Sequence, residues 1–340
     1  MDRYDRQERV QQIGPTGQAK INQATVLIVG VGALGSYAAS LLARAGVHRL
    51  ILVDPDVVSE TNLQRQALFT EEDAKKQRLK VLAANQHLQA INSTVEVITI
   101  PAPLDENIVK DYQFDLCLDC LDNYQGRDLL NRLAIVHHFD YLFASCAGNY
   151  GNVMAISPTD HPCLNCVFPN LKQLMQTDCD LIGVNTALVP IVAGMQASLA
   201  LHYLVDQAHI DFDHLLTVDN WSMTATKFKI KKDGACQTCQ SASIPLDEES
   251  EPKLKMLCGE DAYYTNLEGM VSLQKWQAYL SKKKLLRGRS PLFIHFTWQK
   301  LPVSLFKNGR LIMYHLANTD QANNQLASIT HLAKQIKEEG

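Results

Sequence analysis

A glycine-rich turn between two apolar segments constrains the fold of this chain more than any other feature. The β-branched run Thr25–Val29 is followed at once by a G-x-G-x-x-G spacing. The glycines of that spacing are Gly30, Gly32 and Gly35. A helical segment, Ser36–Ala45, comes next, and a second apolar run, Leu50–Val53, is closed by Asp54. The order strand, glycine turn, helix, strand predicts the first βαβ unit of a Rossmann-like α/β domain.

The same turn indicates nucleotide binding. Glycine lets the backbone approach phosphates at a helix N-terminus, where N–H groups and the helix dipole favour negative charge. Asp54 lies about 20 residues beyond the turn, where an acid suits ribose hydroxyls. The alternative is a glycine-rich turn that serves packing only.

The composition excludes several classes of protein. With 46% apolar and 20% charged residues and a net charge of −4, the chain is an ordinary soluble globular protein without a signal for nucleic-acid binding. No apolar run approaches the ~18 residues of a membrane span, and the first residues lack a signal-peptide core. We therefore expect a cytoplasmic protein with no membrane partner. Nine cysteines in a reducing compartment favour metal or thiol chemistry over disulfides.

Alternating apolar runs and helical segments predict a mostly parallel, twisted sheet in residues 1–240. Residues 241–252 contain two prolines and several acids, a composition typical of a linker. Residues 253–340 then predict a small α+β module with no evident catalytic cluster.

Polar side chains follow two of the predicted strands. Asn62 and Arg65 come after the strand that Asp54 closes, and the planar guanidinium of arginine suits phosphate oxygens. Asp122 follows a later strand and suits Mg²⁺ on a triphosphate. The alternative for this residue is an N-cap of the helix that begins at Asn123. Between these positions, Lys75–Asn92 predicts one continuous helix.

Two C-x-x-C pairs lie in predicted loops on either side of a long insert. They are Cys163 with Cys166 and Cys236 with Cys239. Together they suit a tetrahedral structural Zn²⁺ that keeps no open position for catalysis. Cys117 and Cys120 lie on one predicted strand, where positions three apart point to opposite faces, and are expected in the core. Cys179, in a polar loop, is either a reactive thiol or an incidental cysteine.

These motifs together resemble the ThiF/MoeB/HesA family, the bacterial relatives of ubiquitin-activating enzymes. The resemblance spans residues 1–240 and includes R-Y-D-R-Q at the start, the glycine turn, N-L-Q-R-Q, the D-N pair at 122–123 and both cysteine pairs. It implies ATP-dependent adenylylation of the C-terminal glycine of a ubiquitin-like sulfur carrier of the ThiS or MoaD kind. A sulfur donor would then form a thiocarboxylate for thiamine or molybdopterin synthesis. Residues 253–340 resemble a module found on some ThiF-type proteins.

The resemblance also implies cofactors and roles, with ATP, Mg²⁺ and Zn²⁺ as the cofactors. The residues it assigns to the nucleotide and its phosphates are Gly30, Gly32, Gly35, Asp54, Asn62, Arg65, Lys80, Asn123 and Arg127. Asp122 would hold Mg²⁺, and Cys179 matches the position of the family's thiol. By spacing alone Arg6 belongs to a solvated N-terminal helix, but by resemblance it reaches into a partner subunit's site, which implies a homodimer. The expected catalytic set is Arg6, Arg65, Lys80, Asp122 and Cys179.

Two other functions are compatible with parts of the pattern. An NAD-dependent dehydrogenase would use the same glycine turn and Asp54. A dinucleotide, however, needs no cluster of triphosphate and metal ligands such as Arg65, Lys80 and Asp122. A non-catalytic, zinc-bearing scaffold would use the fold only to bind a partner.

Overall fold

The structure is a computed structural model that describes residues 3–169, 183–240, 254–257, 262–267, 272–289, 293–307 and 309–338. The chain divides into two compact units, Met1–Pro245 and Leu246–Gly340. The division falls within the polar stretch 241–252, which lies outside the described residues, as does Cys179.

The first unit is built on one eight-stranded sheet. Its strands are β1 (Thr25–Val29), β2 (Arg49–Val53), β3 (Glu96–Ile100), β4 (Leu116–Asp119), β5 (Tyr141–Ala147), β6 (Tyr150–Ile156), β7 (His214–Asp219) and β8 (Thr224–Lys229). Their order is β3-β2-β1-β4-β5-β6-β7-β8, with parallel pairing from β3 to β5 and antiparallel pairing from β5 to β8. The predicted mostly parallel, Rossmann-like sheet is confirmed. Strand β1 is buried along its whole length, as expected for a parallel strand covered on both faces.

Helices lie between the strands of this unit. They are α1 (Asp5–Glu8), α2 (Gly14–Ile21), α3 (Ala33–Ala45), α4 (Glu71–Lys75), α5 (Lys80–Ile91), α6 (Glu106–Asp111), α7 (Tyr124–His137), α8 (Leu164–Val167), α9 (Leu188–Asp206) and α10 (Gln237–Gln240), with 3-10 turns at Glu60–Asn62 and Gln207–His209. The predicted helix Lys75–Asn92 is wrong in its first part. Thr70 and Asp73 form a capping box that starts α4, and the chain turns at Gln77, whose φ is +48°, before α5 begins.

Helix α9 is the apolar helix of the first unit. By length and composition alone, Leu188–His209 is long and apolar enough to cross a membrane. No span was expected here because Gln196 and His202 interrupt the apolar run. Helix α9 packs against β5, β6, α2 and α3. A core helix passes the same test, and this packing accounts for the apolar residues of α9.

The described residues of the second unit form a six-stranded antiparallel sheet and two helices. Its strands are β9 (Lys255–Leu257), β10 (Ala262–Asn266), β11 (Leu286–Arg289), β12 (Phe293–Trp298), β13 (Leu301–Phe306) and β14 (Arg310–Met313), and its helices are α11 (Leu273–Lys282) and α12 (Thr319–Glu338). The strand order is β11-β12-β13-β14-β10-β9. Trp276 of α11 and Ile329 of α12 are fully buried in one apolar core with Phe296 and Leu305. The predicted α+β module is confirmed.

Candidate functional site

The glycine turn joins β1 to α3 with a backbone geometry that side chains would obstruct. Gly30 has a φ of +89°, in the left-handed region that favours glycine. A Cβ on Gly35 would lie 1.9 Å from the carbonyl oxygen of Gly30, so no other residue fits there without a shift of the backbone. Gly32 is the N-cap of α3 and has no side chain with which to cap it. The first turn of α3 therefore offers backbone N–H groups to an anion.

Asp54 lies at the end of β2, directly beside this turn. Its carboxylate is 4% exposed, with Oδ2 accepting from the N–H of Val31 at 2.7 Å and Oδ1 accepting from the N–H of Asp56 at 2.9 Å. The structure thus gives Asp54 a role in holding the turn in place. The ribose contact expected from the motif stays a prediction.

Lys80 forms a buried ion pair at the start of α5. Its Nζ lies 2.8 Å from Oδ2 of Asp56, and the two side chains are 5% and 16% exposed. The backbone N–H of Lys80 also donates to the carbonyl of Asp56 at 2.9 Å. Since a buried ammonium group needs an acceptor, Asp56 fixes the position of Lys80 beside the end of β2. Asp56 was not among the expected site residues, although a second acid two residues after Asp54 is a signal that could have indicated it.

Asn62 and Arg65 lie together in the loop that follows β2. The guanidinium of Arg65 donates to Oδ1 of Asn62 at 3.4 Å and to the carbonyl of Thr61 at 3.2 Å. Arg65 is half-buried, whereas Asn62 is 9% exposed. The hydroxyl of Thr186, just before α9, donates to the side chain of Gln64 in the same loop. The loop is therefore tied to the chain segment that precedes α9.

The predicted magnesium ligand, Asp122, follows the C-terminal end of β4. Asn123 caps α7, because its Oδ1 accepts from the N–H of Gly126 at 2.8 Å. The alternative in which Asp122 caps this helix is therefore wrong. Asp122 is exposed, and its Oδ1 accepts from Nδ2 of Asn123 at 3.1 Å. An exposed carboxylate at a strand end suits Mg²⁺, which takes few protein carboxylates together with phosphate oxygens.

Arg127 lies in the core rather than on the surface beside Asp122. It is 4% exposed, and its Nη1 lies 3.0 Å from Oδ2 of Asp119, which is fully buried. It also donates to the carbonyl of Leu121, and its guanidinium lies 4.9 Å from the ring centre of Phe143. Burial raises the pKa of Asp119, and the charge of Arg127 opposes that shift. These contacts support the segment before Asp122, while the predicted contact of Arg127 with nucleotide stays a prediction.

The remaining two residues of the expected catalytic set are Arg6 and Cys179. Arg6 is on α1 and its side chain is exposed. Cys179 lies outside the described residues.

The four thiols of the two C-x-x-C pairs come together after β6 and β8, with all sulfur atoms within 4.8 Å of one another. The Sγ–Sγ distances are 3.9 Å for Cys163–Cys166, 3.8 Å for Cys163–Cys236 and 3.6 Å for Cys166–Cys239. A tetrahedral zinc site with Zn–S bonds of 2.3 Å has sulfur atoms about 3.8 Å apart. The cluster therefore has the size and ligand chemistry of a metal site. Cys117 and Cys120 are buried, as predicted.

Comparisons with known proteins agree with this arrangement. The ThiF family matches residues 4–238. The chain is 32% identical over 321 residues to the sulfur carrier protein ThiS adenylyltransferase of Bacillus subtilis, covering 92% of this chain and 94% of that protein. It is 33% identical over 247 residues to the sulfur carrier protein adenylyltransferase of Thermus thermophilus, covering 70% and 90%. A crystal structure of E. coli MccB with ATP shares the fold, with a TM-score of 0.61 at 20% identity over 70% of this chain and 74% of that one. The chain therefore belongs to the ThiF family and is an adenylyltransferase.

Proposed function

We propose that this adenylyltransferase uses ATP to activate the C-terminal glycine of a ubiquitin-like sulfur carrier protein. A carboxylate oxygen of the glycine attacks the α-phosphorus of ATP, and the bond from that phosphorus to the oxygen bridging to the β-phosphorus breaks. Pyrophosphate leaves with the bonding electrons, and an acyl-adenylate remains. A sulfur donor would later convert this acyl-adenylate to a thiocarboxylate. The names of the Bacillus and Thermus relatives support this substrate class.

One observation carries the proposal: the groups expected to bind phosphate follow the carboxyl ends of three neighbouring parallel strands. Strand β1 leads into the glycine turn, Lys80 pairs with Asp56 just after β2, and Asp122 follows β4. Ligands of open α/β sheets bind at this edge. Adenylyl transfer asks for positioning and charge neutralisation more than for covalent help. Arg65, Lys80 and the N-terminus of α3 would supply positive charge, and Mg²⁺ held by Asp122 would neutralise the triphosphate.

The cysteine cluster would hold Zn²⁺ in a structural role. All four ligand positions would be filled by thiolates, so the metal would have no site for substrate. We assign no reaction step to it. The cluster instead ties together the segments that follow β6 and β8.

The β7–β8 hairpin is a suitable surface for the carrier. Its turn carries Trp221 and Met223, which are 79% and 81% exposed, and β8 carries Phe228, which is 50% exposed. Apolar groups exposed together mark interaction sites. Strand β8 is the last strand in the sheet order, and an edge strand can accept a strand from another protein. We expect Trp221→Ala to raise the KM for the carrier about tenfold or more and to leave the KM for ATP unchanged. The control Val136→Ser should leave both KM values unchanged. If Trp221→Ala and the wild type had the same KM for the carrier, the carrier would dock elsewhere.

The proposal extends to a cytoplasmic homodimer in which the exposed Arg6 completes the partner's site. It covers a ThiS-like carrier for thiamine synthesis and a MoaD-like carrier for molybdopterin synthesis, and the name of the Bacillus relative favours the former.

Carrier-dependent exchange between ATP and labelled pyrophosphate tests the function. The purified protein is incubated with ATP, Mg²⁺ and a ThiS-like or MoaD-like carrier, and the carrier's C-terminus is analysed by mass spectrometry. We expect exchange and an AMP adduct with one carrier, and neither with a control carrier that lacks its last glycine. Tight binding of NAD without exchange would support a dehydrogenase instead. ATP binding with no exchange for either carrier would support a scaffold.

A further inference from the structure

The carboxamide of one buried asparagine on α7 contacts both residues that separate the first pair of cysteines. Asn131 is fully buried. Its Oδ1 accepts from the backbone N–H of Leu164 at 3.0 Å, and its Nδ2 donates to Oδ1 of Asn165 at 3.0 Å. Leu164 and Asn165 are the two residues between Cys163 and Cys166. The middle of α7 is therefore bonded directly to the first C-x-x-C turn.

The orientation of this carboxamide is fixed by its partners. A backbone N–H can only donate, so the oxygen of Asn131 faces Leu164 and the nitrogen faces Asn165. The same oxygen also accepts from the hydroxyl of Tyr141 at 3.1 Å, and Tyr141 is fully buried on β5. Asn131 thus connects the C-x-x-C turn both to α7 and to β5.

Asn131 also supplies a partner at the start of α8. Cys163 is the N-cap of this helix, and its side chain makes no capping hydrogen bond. The first N–H groups of a helix have no partner within the helix, and the N–H of Leu164 finds its partner in Asn131. The thiol of Cys163 is thereby left to the cysteine cluster, where its Sγ lies 3.9 Å from Sγ of Cys166.

The second pair of cysteines is held by groups that are close in sequence. The N–H of Cys236 donates to the carbonyl of Asp233 at 3.1 Å, and the N–H of Ala235 donates to Oδ1 of Asp233 at 2.8 Å. Asn131, in contrast, lies 33 residues before Leu164. The first pair is thus fixed to the core of the unit, whereas the second pair is fixed within its own turn.

We infer that Asn131 is a positioning residue of the cysteine cluster, whose carboxamide holds the first C-x-x-C turn in the geometry that binds the metal. The inference rests on the structural zinc site of the proposed function and not on the adenylylation chemistry. A side chain that holds ligands in place without contacting the metal raises the metal affinity, because the ligands then lose less freedom when the metal binds.

The substitution Asn131→Leu tests this, because leucine is similar in size and lacks both polar groups. We expect the Kd for Zn²⁺, measured by competition with a chelator of known affinity, to rise about tenfold or more. Asn92→Leu is the matched control, since Asn92 is also fully buried and its side chain donates to the carbonyl of Ala43 and to the hydroxyl of Tyr4. Both variants should have a lower Tm, but the control should keep the wild-type Kd for Zn²⁺.

A milder variant, Asn165→Ala, tests the same hydrogen bond from the side of the turn. Asn165 is half-buried, so we expect the variant to fold, and it removes the acceptor for Nδ2 of Asn131. The Kd for Zn²⁺ should rise less than in Asn131→Leu, because the bond to Leu164 remains. The double variant should bind zinc no more weakly than Asn131→Leu alone, since both substitutions remove one shared bond.

Two results would overturn the inference alone. One is a wild-type Kd for Zn²⁺ in both Asn131→Leu and Asn165→Ala, and Asn165→Ala decides by itself if Asn131→Leu does not fold. The other is an equal loss of zinc affinity in Asn92→Leu, which would show a general effect of stability. If the wild-type protein binds no zinc, the proposed zinc site falls, and the inference falls with it.

Discussion

Replacing Arg127 with methionine separates a structural role from a role in nucleotide binding. Arg127 forms an ion pair of 3.0 Å with Asp119, and both side chains are buried, at 5% and 0% exposure. Removal of one partner from a buried pair costs about 3–5 kcal/mol, since the other charge is left uncompensated. Because the whole free energy of unfolding of a domain is about 5–15 kcal/mol, we expect a large loss of stability. ATP binding by the remaining folded protein should change little.

The loss of stability in Arg127→Met should depend on pH in a defined direction. Burial raises the pKa of Asp119, and in the variant the opposing charge of Arg127 is gone. A carboxyl group whose pKa is higher in the folded than in the unfolded state contributes stability at pH values low enough for the group to be protonated in both states. That contribution is lost as the pH rises above the unfolded value of 3.8. Relative to the wild type, Arg127→Met should therefore be less destabilised at acidic than at neutral pH.

Urea denaturation followed by circular dichroism at several pH values measures both effects. The double variant Asp119→Asn, Arg127→Met is the control, because it removes both charges and should be more stable than Arg127→Met alone at neutral pH. The reasoning is refuted if Arg127→Met unfolds like the wild type while KM for ATP rises. That result would instead support the nucleotide contact implied by the family resemblance.

Three further predictions address the metal, the dimer and the second unit. Cys163→Ser should lose about one equivalent of zinc, measured by atomic absorption, and should lower the Tm; an unchanged zinc content would show that other groups bind it. Arg6→Ala and Asp122→Ala should each be inactive, but mixed heterodimers should recover partial exchange activity, and no recovery would contradict a site shared between subunits. Burial, aided by the charge of Arg287, lowers the pKa of His295 from 6.5 to about 4, so the second unit should lose up to about 3 kcal/mol of stability as the pH falls through that range. Fluorescence of buried Trp276 during urea unfolding measures this, and His295→Asn should remove the pH dependence.

Much of the first unit could be predicted from the sequence because its signals are local. An apolar run, a glycine spacing and a helical segment lie next to one another in β1, the turn and α3, and the structure follows this order. The break between α4 and α5 was missed because it depends on partners outside the segment. Asp73 accepts hydrogen bonds from Thr70, Arg78 and His87, and these contacts fix the turn at Gln77. In the second unit, β11 was missed because Leu286–Arg289 is basic and contains a glycine.

The residues of the candidate site also differ in how well the sequence predicts them. The glycines and cysteine pairs have spacings that suit one geometry, so their grouping was predictable. Asp56 is different, because it matters through its ion pair with Lys80, 24 residues further along the chain. The acid spacing after β2 is visible in the sequence, but its partner is not. Arg127 was assigned to the site by the family resemblance, but its side chain on α7 lies in the core.

Under the proposed function, the two halves of the first sheet have different roles, and this affects what the proposed zinc site would stabilise. The parallel half, β3 to β5, leads to the groups expected to bind phosphate, whereas the antiparallel half, β5 to β8, ends in an exposed edge with Phe228. The cysteine cluster joins the segments that follow β6 and β8, so it belongs to the antiparallel half. Loss of zinc in Cys163→Ser should therefore loosen the carrier surface before it affects the glycine turn. We expect carrier-dependent exchange to fall in that variant while the Kd of Mg–ATP stays near the wild-type value, and an equal loss of both would contradict this division.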